Sequence, residues 1–272
     1  MRLKLPLSVI LIFLLRFDSG AQSYCTAGTR AFEAGEELNY KVTYNWGLVW
    51  LESAFAKFTV EKSRLNARAC YYFRGEGSTY KNYDWFYKVR DVFESWVDTA
   101  DLRPLKFSAV MNEGSKHDKH TYLFDDRNKR AFTVITRGKK PAVVDTVKQG
   151  TCTIDVLSAI YYARSYDYSK CKLNDTISMS QLLDGKVYSI YVRYLGKANY
   201  TSEELGTFKC IKFSPLLIEG SIFKKGEGMT VWVTDDENKL PLYIETPIVI
   251  GTIKVWLTSY KGLRFPIRAR IN

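Results

Sequence analysis

Residues 38–46 read LNYKVTYNW, the most regular stretch of the chain. Apolar or aromatic side chains occupy every second position, and Asn, Lys or Thr fills the positions between them. Because successive side chains of a strand point to opposite faces of a sheet, this period of two predicts a β-strand with one buried and one solvent-facing side.

Similar runs follow, separated by turn-forming clusters such as residues 112–114 and 125–128. Asp184-Gly185 joins two of the runs and predicts a two-residue hairpin, since both positions tolerate a positive φ. Strands succeed strands, so the sheet is expected to be antiparallel. The predicted strands after the first are Ala54–Val60, Ala69–Arg74, Val92–Val97, Leu105–Met111, Thr121–Asp125, Ala131–Thr136, Thr176–Leu183, Lys186–Leu195, Thr207–Ser214, and one each around Trp232 and Trp256.

One helix interrupts this pattern at Thr153–Arg164, where apolar residues recur at helical spacing. Thr153 or Asp155 can cap its free amides. A solitary amphipathic helix in an all-β chain typically covers the open side of a curved sheet. The sequence therefore predicts a mostly-β fold, a curved antiparallel sheet forming an open or half barrel packed around one main helix. A weaker helical pattern, rich in aromatic residues, spans Tyr80–Val89.

The N-terminal residues follow the three-part layout of a secretory signal peptide: basic residues, an apolar run over residues 5–15, and Ser19-Gly20-Ala21. We expect export with cleavage after Ala21, leaving residues 22–272 as a single mostly-β domain in the periplasm or outside the cell. No later run approaches the roughly 20 apolar residues that a membrane helix needs, so the mature protein is expected to be soluble.

The chain is basic, with a formal net charge of +11. Since export removes a protein from the nucleic acid of the cell, we expect anionic lipid, lipoprotein or acidic glycan as partners rather than nucleic acid. A simpler alternative is that the evenly spread basic residues form an ordinary solvated surface and bind no particular partner.

The chain has five cysteines: Cys25, Cys70, Cys152, Cys171 and Cys210. Cys152 and Cys171 flank the predicted helix, so the sequence favours a disulfide between them. A Cys70–Cys210 disulfide and buried free thiols remain alternatives.

Candidate catalytic groups are few. His117 and His120, the only histidines, lie in a lysine-rich segment expected to be a polar loop, which is poorly suited to orient a catalytic base or a metal ligand. No cofactor and no metal are therefore predicted, and a non-catalytic role is favoured. The alternative is a carboxylate-dependent hydrolase of envelope polymers, with candidates such as Glu76, Asp91 and Glu94. It would need two carboxylates to converge in one cleft with their pKa values pushed apart.

Trp232 and Trp256 are the candidate ligand-binding residues. Each occupies a position between aliphatic neighbours where a strand would normally present a polar side chain. Another part of the chain, such as the N-terminal segment or Tyr80–Val89, can cover them. Alternatively, they line a groove in which their indole faces contact acyl chains or sugar rings.

Four ordered blocks of the sequence carry a resemblance to a known family: residues 31–40, residues 91–98 followed by 102–104, the helix at 155–164, and residues 206–210 leading to 231–242. They resemble the exported bacterial family called domain of unknown function 3108, and the style of the signal and the blocks is similar to members from the Bacteroidetes. The resemblance implies an envelope protein with a curved antiparallel sheet, comparable to the open barrels of lipoprotein carriers, and it implies no activity.

Overall fold

A computed structural model describes residues 28–46, 49–218, 226–249 and 251–271. The predicted signal peptide at residues 1–21 lies outside the described residues. Sixteen strands and one α-helix make up the regular structure of the described part: β1 (Glu37–Trp46), β2 (Val49–Leu65), β3 (Arg68–Thr79), β4 (Arg90–Asp98), β5 (Pro104–Glu113), β6 (Lys116–Asp125), β7 (Arg130–Arg137), β8 (Val143–Lys148), β9 (Thr153–Ile154), α1 (Val156–Ser165), β10 (Thr176–Leu183), β11 (Lys186–Ser202), β12 (Gly206–Pro215), β13 (Thr230–Thr234), β14 (Pro241–Pro247), β15 (Thr252–Lys261) and β16 (Arg270–Ile271).

All sixteen strands belong to one sheet. Its order is β8-β7-β6-β5-β4-β3-β2-β1-β15-β14-β13-β12-β11-β10-β9, with β16 added beside β12. Every pairing is antiparallel except that of β9 with β10. The sheet is curved and unclosed, with β8 at one edge and β9 at the other. The predicted antiparallel half-barrel class is thus confirmed.

Local signals account for several elements. Asp184 and Gly185 both have positive φ, as the predicted β10–β11 hairpin requires. In β1, Leu38 and Tyr40 are buried, as the alternation predicts. A register shift against β2 between Val42 and Thr43 then breaks the alternation, and Thr43 is buried instead of Val42.

Two local predictions were wrong, and the two tryptophan strands do not form a hairpin with each other: a separate strand, β14, lies between β13 and β15. His117 and His120 lie on β6 rather than in a loop. The Tyr80–Val89 stretch contains only a short 3₁₀ turn at Lys81–Tyr83. In each case hydrogen bonding to neighbouring strands outweighed the local sequence pattern.

The helix α1 begins at Val156, because Thr153–Ile154 instead forms the short strand β9. Asp155 is the N-cap and accepts a hydrogen bond from the backbone amide of Ser158 at 2.9 Å. The buried Asp155 carboxylate also accepts bonds from the hydroxyls of Ser158 and of Ser95 on β4. This cap therefore fixes the helix start directly against the sheet, and the predicted packing of helix on sheet is confirmed.

The buried hydrophobic residues form four clusters, three of which include or contact residues of the helix. Tyr162 belongs to one cluster, Leu157 and Tyr161 belong to a second, and Val156 packs against a third. One short helix thus supplies apolar side chains to three of the four clusters. This explains how a single helix can stabilise so large a sheet.

The end of α1 carries a buried ion pair. Arg164 donates to both carboxylate oxygens of Glu36, at 2.6 and 2.8 Å, and both side chains are almost fully buried. Arg164 also donates to the carbonyls of Asn238 and Ala31. Asn238 in turn bonds the carbonyl of Phe265. The network joins the N-terminal segment, the helix, the β13–β14 turn and the C-terminal segment.

The predicted Cys152–Cys171 disulfide is not present. Cys152 is disulfide-bonded, but Cys171 carries a free thiol, as do Cys70 and Cys210, so the alternative pair is also absent. The fifth cysteine of the sequence, Cys25, lies outside the described residues. The carbonyl of Cys152 accepts from the amide of Ser180 in the middle of β10, whereas Cys171 precedes the start of that strand. Their separation along β10 explains why the two ends of the helical segment do not meet.

None of the helices in the described part of the chain has the length and apolar character needed to cross a membrane.

Candidate functional site

The two predicted tryptophans lie in one cross-strand row. The register pairs Trp232 of β13 with Tyr243 of β14, and Tyr243 with Trp256 of β15. Tyr200 of β11 packs against this row from the side. We call Tyr200, Trp232, Tyr243 and Trp256 the aromatic row. All four side chains are partly exposed, whereas Val233 and Leu257, next to the tryptophans in sequence, are buried.

The rings of the aromatic row are in mutual contact. Tyr200 stacks on Tyr243 with ring centroids 5.4 Å apart and an interplanar angle of 10°. Tyr200 is also 5.7 Å from Trp232, and Tyr243 is 5.6 Å from Trp256. Neighbouring strands are about 4.8 Å apart, so the three paired positions present a narrow aromatic strip across β13, β14 and β15.

A lysine stands at each end of the strip. Lys212 of β12 is in register with Trp232, and its ammonium lies 4.4 Å from the ring centroid. Lys41 of β1 is in register with Trp256, at 5.8 Å. Both distances fall within the range of a cation–π interaction. The register then continues from Lys41 to Phe55 of β2, another exposed aromatic side chain.

The charges around the row are arranged asymmetrically. Lys41 forms an ion pair with Glu204 at 2.6 Å, and this hydrogen bond raises the pKa of Lys41. Burial raises the pKa of Tyr200 to about 12. Burial, with a hydrogen bond to Glu245, also raises the pKa of Tyr243. The aromatic row is therefore neutral at physiological pH, with a cation at either end.

A shallow cleft of about 80 Å³ opens beside Trp256, between Lys41 and the β11–β12 turn that carries Glu203 and Glu204. A larger cleft, of about 370 Å³, lies beside the acidic β13–β14 turn. Its lining includes Asp235, Asp236 and Glu237 together with Lys239 and Arg268. These charged residues make it a poor receptacle for an acyl chain.

The structure shows what covers the tryptophans. Tyr200, Tyr243 and the two lysines make the contacts described above, and Trp232 and Tyr200 also pack against the buried cluster that contains Phe208. The sequence identified Trp232 and Trp256 but missed Tyr200 and Tyr243. Tyr243 lies in residues 240–244, LPLYI, whose proline obscures the strand pattern. Tyr200 comes from a distant part of the chain, and no local signal could have identified it.

Of the three carboxylates considered for hydrolysis, Glu76 and Glu94 lie near each other and Asp91 lies apart from them. Arg74 forms ion pairs with both Glu76 and Glu94. Asp91 lies three positions from Glu94 on β4, so alternation places it on the opposite face of the sheet. Its carboxylate accepts the backbone amide of Asn112 at 2.8 Å, and burial raises its pKa to about 6.

The histidines are also separated from each other. His117 is exposed, whereas His120 is buried and bonds the hydroxyl of Tyr122 through Nδ1 at 3.3 Å. Burial lowers the pKa of His120, although Asp184 opposes this effect. Among the described residues, no group of three or more His, Cys, Asp or Glu side chains is arranged to hold a metal ion.

Comparison with known proteins assigns a family. The family described as "Protein of unknown function (DUF3108)" matches residues 39–258. The chain belongs to DUF3108. No curated protein matches this DUF3108 chain.

Among solved structures, the DUF3108 chain is similar to a protein described as a beta-barrel-like protein of domain of unknown function DUF1849 from Brucella abortus. The two share 10% sequence identity with a TM-score of 0.53, over 84% of this chain and 97% of the other. At this identity the likeness concerns the fold alone.

Proposed function

We propose that this DUF3108 protein is an exported, non-catalytic binding module of the cell envelope, and that its aromatic row binds an anionic glycan. The observation that carries the proposal is the row itself, in which Trp232, Tyr243 and Trp256 lie in register and partly exposed, with Lys41 and Lys212 at the two ends. Aromatic rings offer flat apolar contact to sugar rings, and lysines favour carboxylate or phosphate substituents.

The interior of the sheet gives less support to a lipid or lipoprotein carrier. Three of the four buried clusters fill the space between helix and sheet. Of the two clefts described above, one is small and the other is lined by charged residues. Enclosing an acyl chain would require an apolar cavity of several hundred Å³. Binding at the surface of the sheet therefore fits the described residues better than binding inside it.

A hydrolase role also has less support. Glu76 and Glu94 lie together but are both ion-paired with Arg74, and alternation along β4 places Asp91 on the other face. Export is supported by the sequence of residues 1–21, which has the layout of a signal peptide. We propose that residues 22–272 form a single domain, located in the periplasm or secreted. We also propose that the protein is a Bacteroidetes-type member of the family.

Affinity electrophoresis tests the proposal, with alginate and polygalacturonate as acidic polysaccharides and dextran as the neutral comparison. We expect the acidic polymers to retard the wild-type protein. The double variant Trp232→Ala/Trp256→Ala should bind at least about tenfold more weakly, since each indole contributes apolar contact worth 1 kcal/mol or more.

Trp96→Ala is the matched control. Trp96 is also a partly exposed tryptophan on a strand, with Tyr72 beside it and the Lys106 ammonium 4.5 Å from its ring centroid. Trp96 lies outside the aromatic row, so Trp96→Ala should leave polysaccharide binding unchanged. Equal loss in the control and in the double variant, or wild-type retardation no greater with acidic polymers than with dextran, would refute the proposal. Native mass spectrometry of protein purified from its own envelope would then identify what it carries instead.

A further inference from the structure

The connection between β3 and β4 displays the most exposed aromatic side chain of the described residues. We call residues 80–89 the rim loop. Trp85 is 83% exposed, Phe86 54% and Tyr87 43%. In an antiparallel meander, alternate turns lie at the same end of the strands, so the rim loop shares its end of the sheet with the β1–β2, β5–β6 and β14–β15 turns. Trp50 and Val249, at or beside two of these turns, are also exposed.

The rim loop is held in place by polar contacts. Arg90 donates to Asp84 at 2.7 Å and to the carbonyl of Thr79 at 3.1 Å. The amide of Gly114, in the β5–β6 turn, donates to the carbonyl of Lys88 at 2.8 Å. The ring of Tyr87 packs over Gly114, where a Cβ would approach it to 3.0 Å. The loop therefore has a defined conformation that nonetheless points its largest apolar side chain into solvent.

Such a display is unfavourable in water. Exposed apolar surface costs about 25 cal/mol per Å² relative to burial. Trp85 contacts Phe86 edge-to-face, with centroids 5.9 Å apart, yet both rings stay more than half exposed. Clusters of this kind on a soluble surface are typical of sites that contact another apolar phase.

The charges of the rim loop indicate which kind of apolar phase it contacts. Its one acidic residue, Asp84, is neutralised by Arg90. Lys81 and Lys88 flank the aromatic residues and are exposed, and Lys116 is exposed just after the β5–β6 turn. The loop thus presents aromatic side chains between cationic ones. Tryptophan and tyrosine prefer the interface between lipid and water, and lysines near the surface of an anionic bilayer contribute about 1 kcal/mol each.

We propose that the rim loop docks the protein onto the surface of an anionic phospholipid bilayer, with Trp85 and Phe86 entering the interface and Lys81 and Lys88 contacting the headgroups. This goes beyond glycan binding and does not depend on it. Phe55 at the end of the strip contacts Tyr80 at the start of the rim loop, with centroids 5.7 Å apart. A docked rim loop would therefore hold the aromatic row close to the membrane surface.

Vesicle co-sedimentation tests this inference. The probes are vesicles of equal parts phosphatidylcholine and phosphatidylglycerol, compared with phosphatidylcholine alone. We expect wild-type protein to bind the anionic vesicles preferentially, and less at high salt. The variant Trp85→Ser/Phe86→Ser should bind them at least about tenfold more weakly. The variant Lys81→Glu/Lys88→Glu should bind the anionic vesicles about fivefold more weakly for each lysine replaced, and its binding should lose most of its salt dependence.

Leu123→Ser and Lys62→Glu are the matched controls. Both residues are exposed and lie toward the opposite end of their strands, and the substitutions should leave vesicle binding unchanged. Circular dichroism should show all variants folded, since the substituted side chains are exposed. Wild-type binding that does not distinguish the two vesicle types, or equal loss in the controls, would overturn the proposal. If Trp85→Ser/Phe86→Ser instead converts a dimer to a monomer in size-exclusion chromatography while vesicle binding is absent, the rim loop is a protein interface and the proposal fails.

Discussion

The end of α1 and the aromatic row both place a cation against aromatic rings, yet their surroundings differ. The guanidinium of Arg164 lies 5.5 Å from the centroid of Tyr161, buried and bonded to Glu36 through two hydrogen bonds. The ammonium of Lys212 lies 4.4 Å from the centroid of Trp232 at a partly exposed position. The first cation has its donors committed to protein oxygens, whereas the second remains accessible to water and to a ligand. Similar chemistry thus contributes to cohesion at one place, and at the other it leaves a cation accessible for the glycan binding that we propose.

The largest effect should come from breaking the buried pair. Arg164→Met leaves the Glu36 carboxylate buried without its cation, and we expect a loss of about 3–5 kcal/mol in the free energy of unfolding. Urea denaturation at neutral pH measures this loss. Arg164→Met/Glu36→Gln should recover part of it, because no unpaired charge remains. A loss below about 1 kcal/mol in the single variant would show that the pair does not hold these segments together.

An intermediate effect should come from Asp91, a buried carboxyl with no cation among the contacts described. Its folded pKa of about 6 lies above the value of about 3.9 expected in the unfolded chain. The folded state therefore binds the proton more tightly, and this group lowers stability as pH rises from about 4 to 6. Asp91→Asn should raise the free energy of unfolding by about 1–2 kcal/mol at pH 7.5, because the amide needs no proton to be neutral.

This stabilisation should vanish below about pH 3, where the wild-type carboxyl is largely protonated in both states. Urea denaturation at the two pH values measures the difference. Glu61→Gln, at an exposed position of β2, is the control and should change stability little at either pH. An Asp91→Asn variant that is less stable than wild type at both pH values would mean that the bond to the Asn112 amide outweighs the cost of burial.

The smallest effect on stability should come from Lys212→Met. The substitution keeps an unbranched side chain over Trp232 but removes its charge, and an exposed cation–π contact contributes only about 0.5–1 kcal/mol. Thermal unfolding should shift by a few degrees at most, while retardation by alginate should weaken measurably. A stability loss comparable to that of Arg164→Met would place Lys212 in the same structural class as Arg164 and remove the contrast between the two regions.

How much of the structure can be predicted from the sequence depends on whether the interactions are local or join strands that are distant in sequence. The alternation in residues 38–46, the Asp184-Gly185 turn and the Asp155 cap are local signals. The strand and the hairpin formed where predicted, and the helix began three residues later than predicted, at Val156. The aromatic row depends on the register of β12–β15 and on Tyr200 reaching across from β11. A bulge beside Trp232 shifts the register of β13 against β14, and another beside Tyr194 shifts β11 against β12. No local pattern encodes these shifts, so the tryptophans were predicted as candidates while their neighbours were missed.

The pairing of β1 with β15 has a consequence for how the chain reaches its native state. Asn39 near the start of the described chain accepts a hydrogen bond from Thr258, 219 residues away. Contacts over such separations close large loops and slow the search for the native topology. The strands β1–β8 can pair in order as they emerge, but β1 keeps an unpaired edge until β15 has been synthesised. During that interval the open edge is a template for intermolecular association, so folding yield should depend on protein concentration and on any chaperone that shields β1.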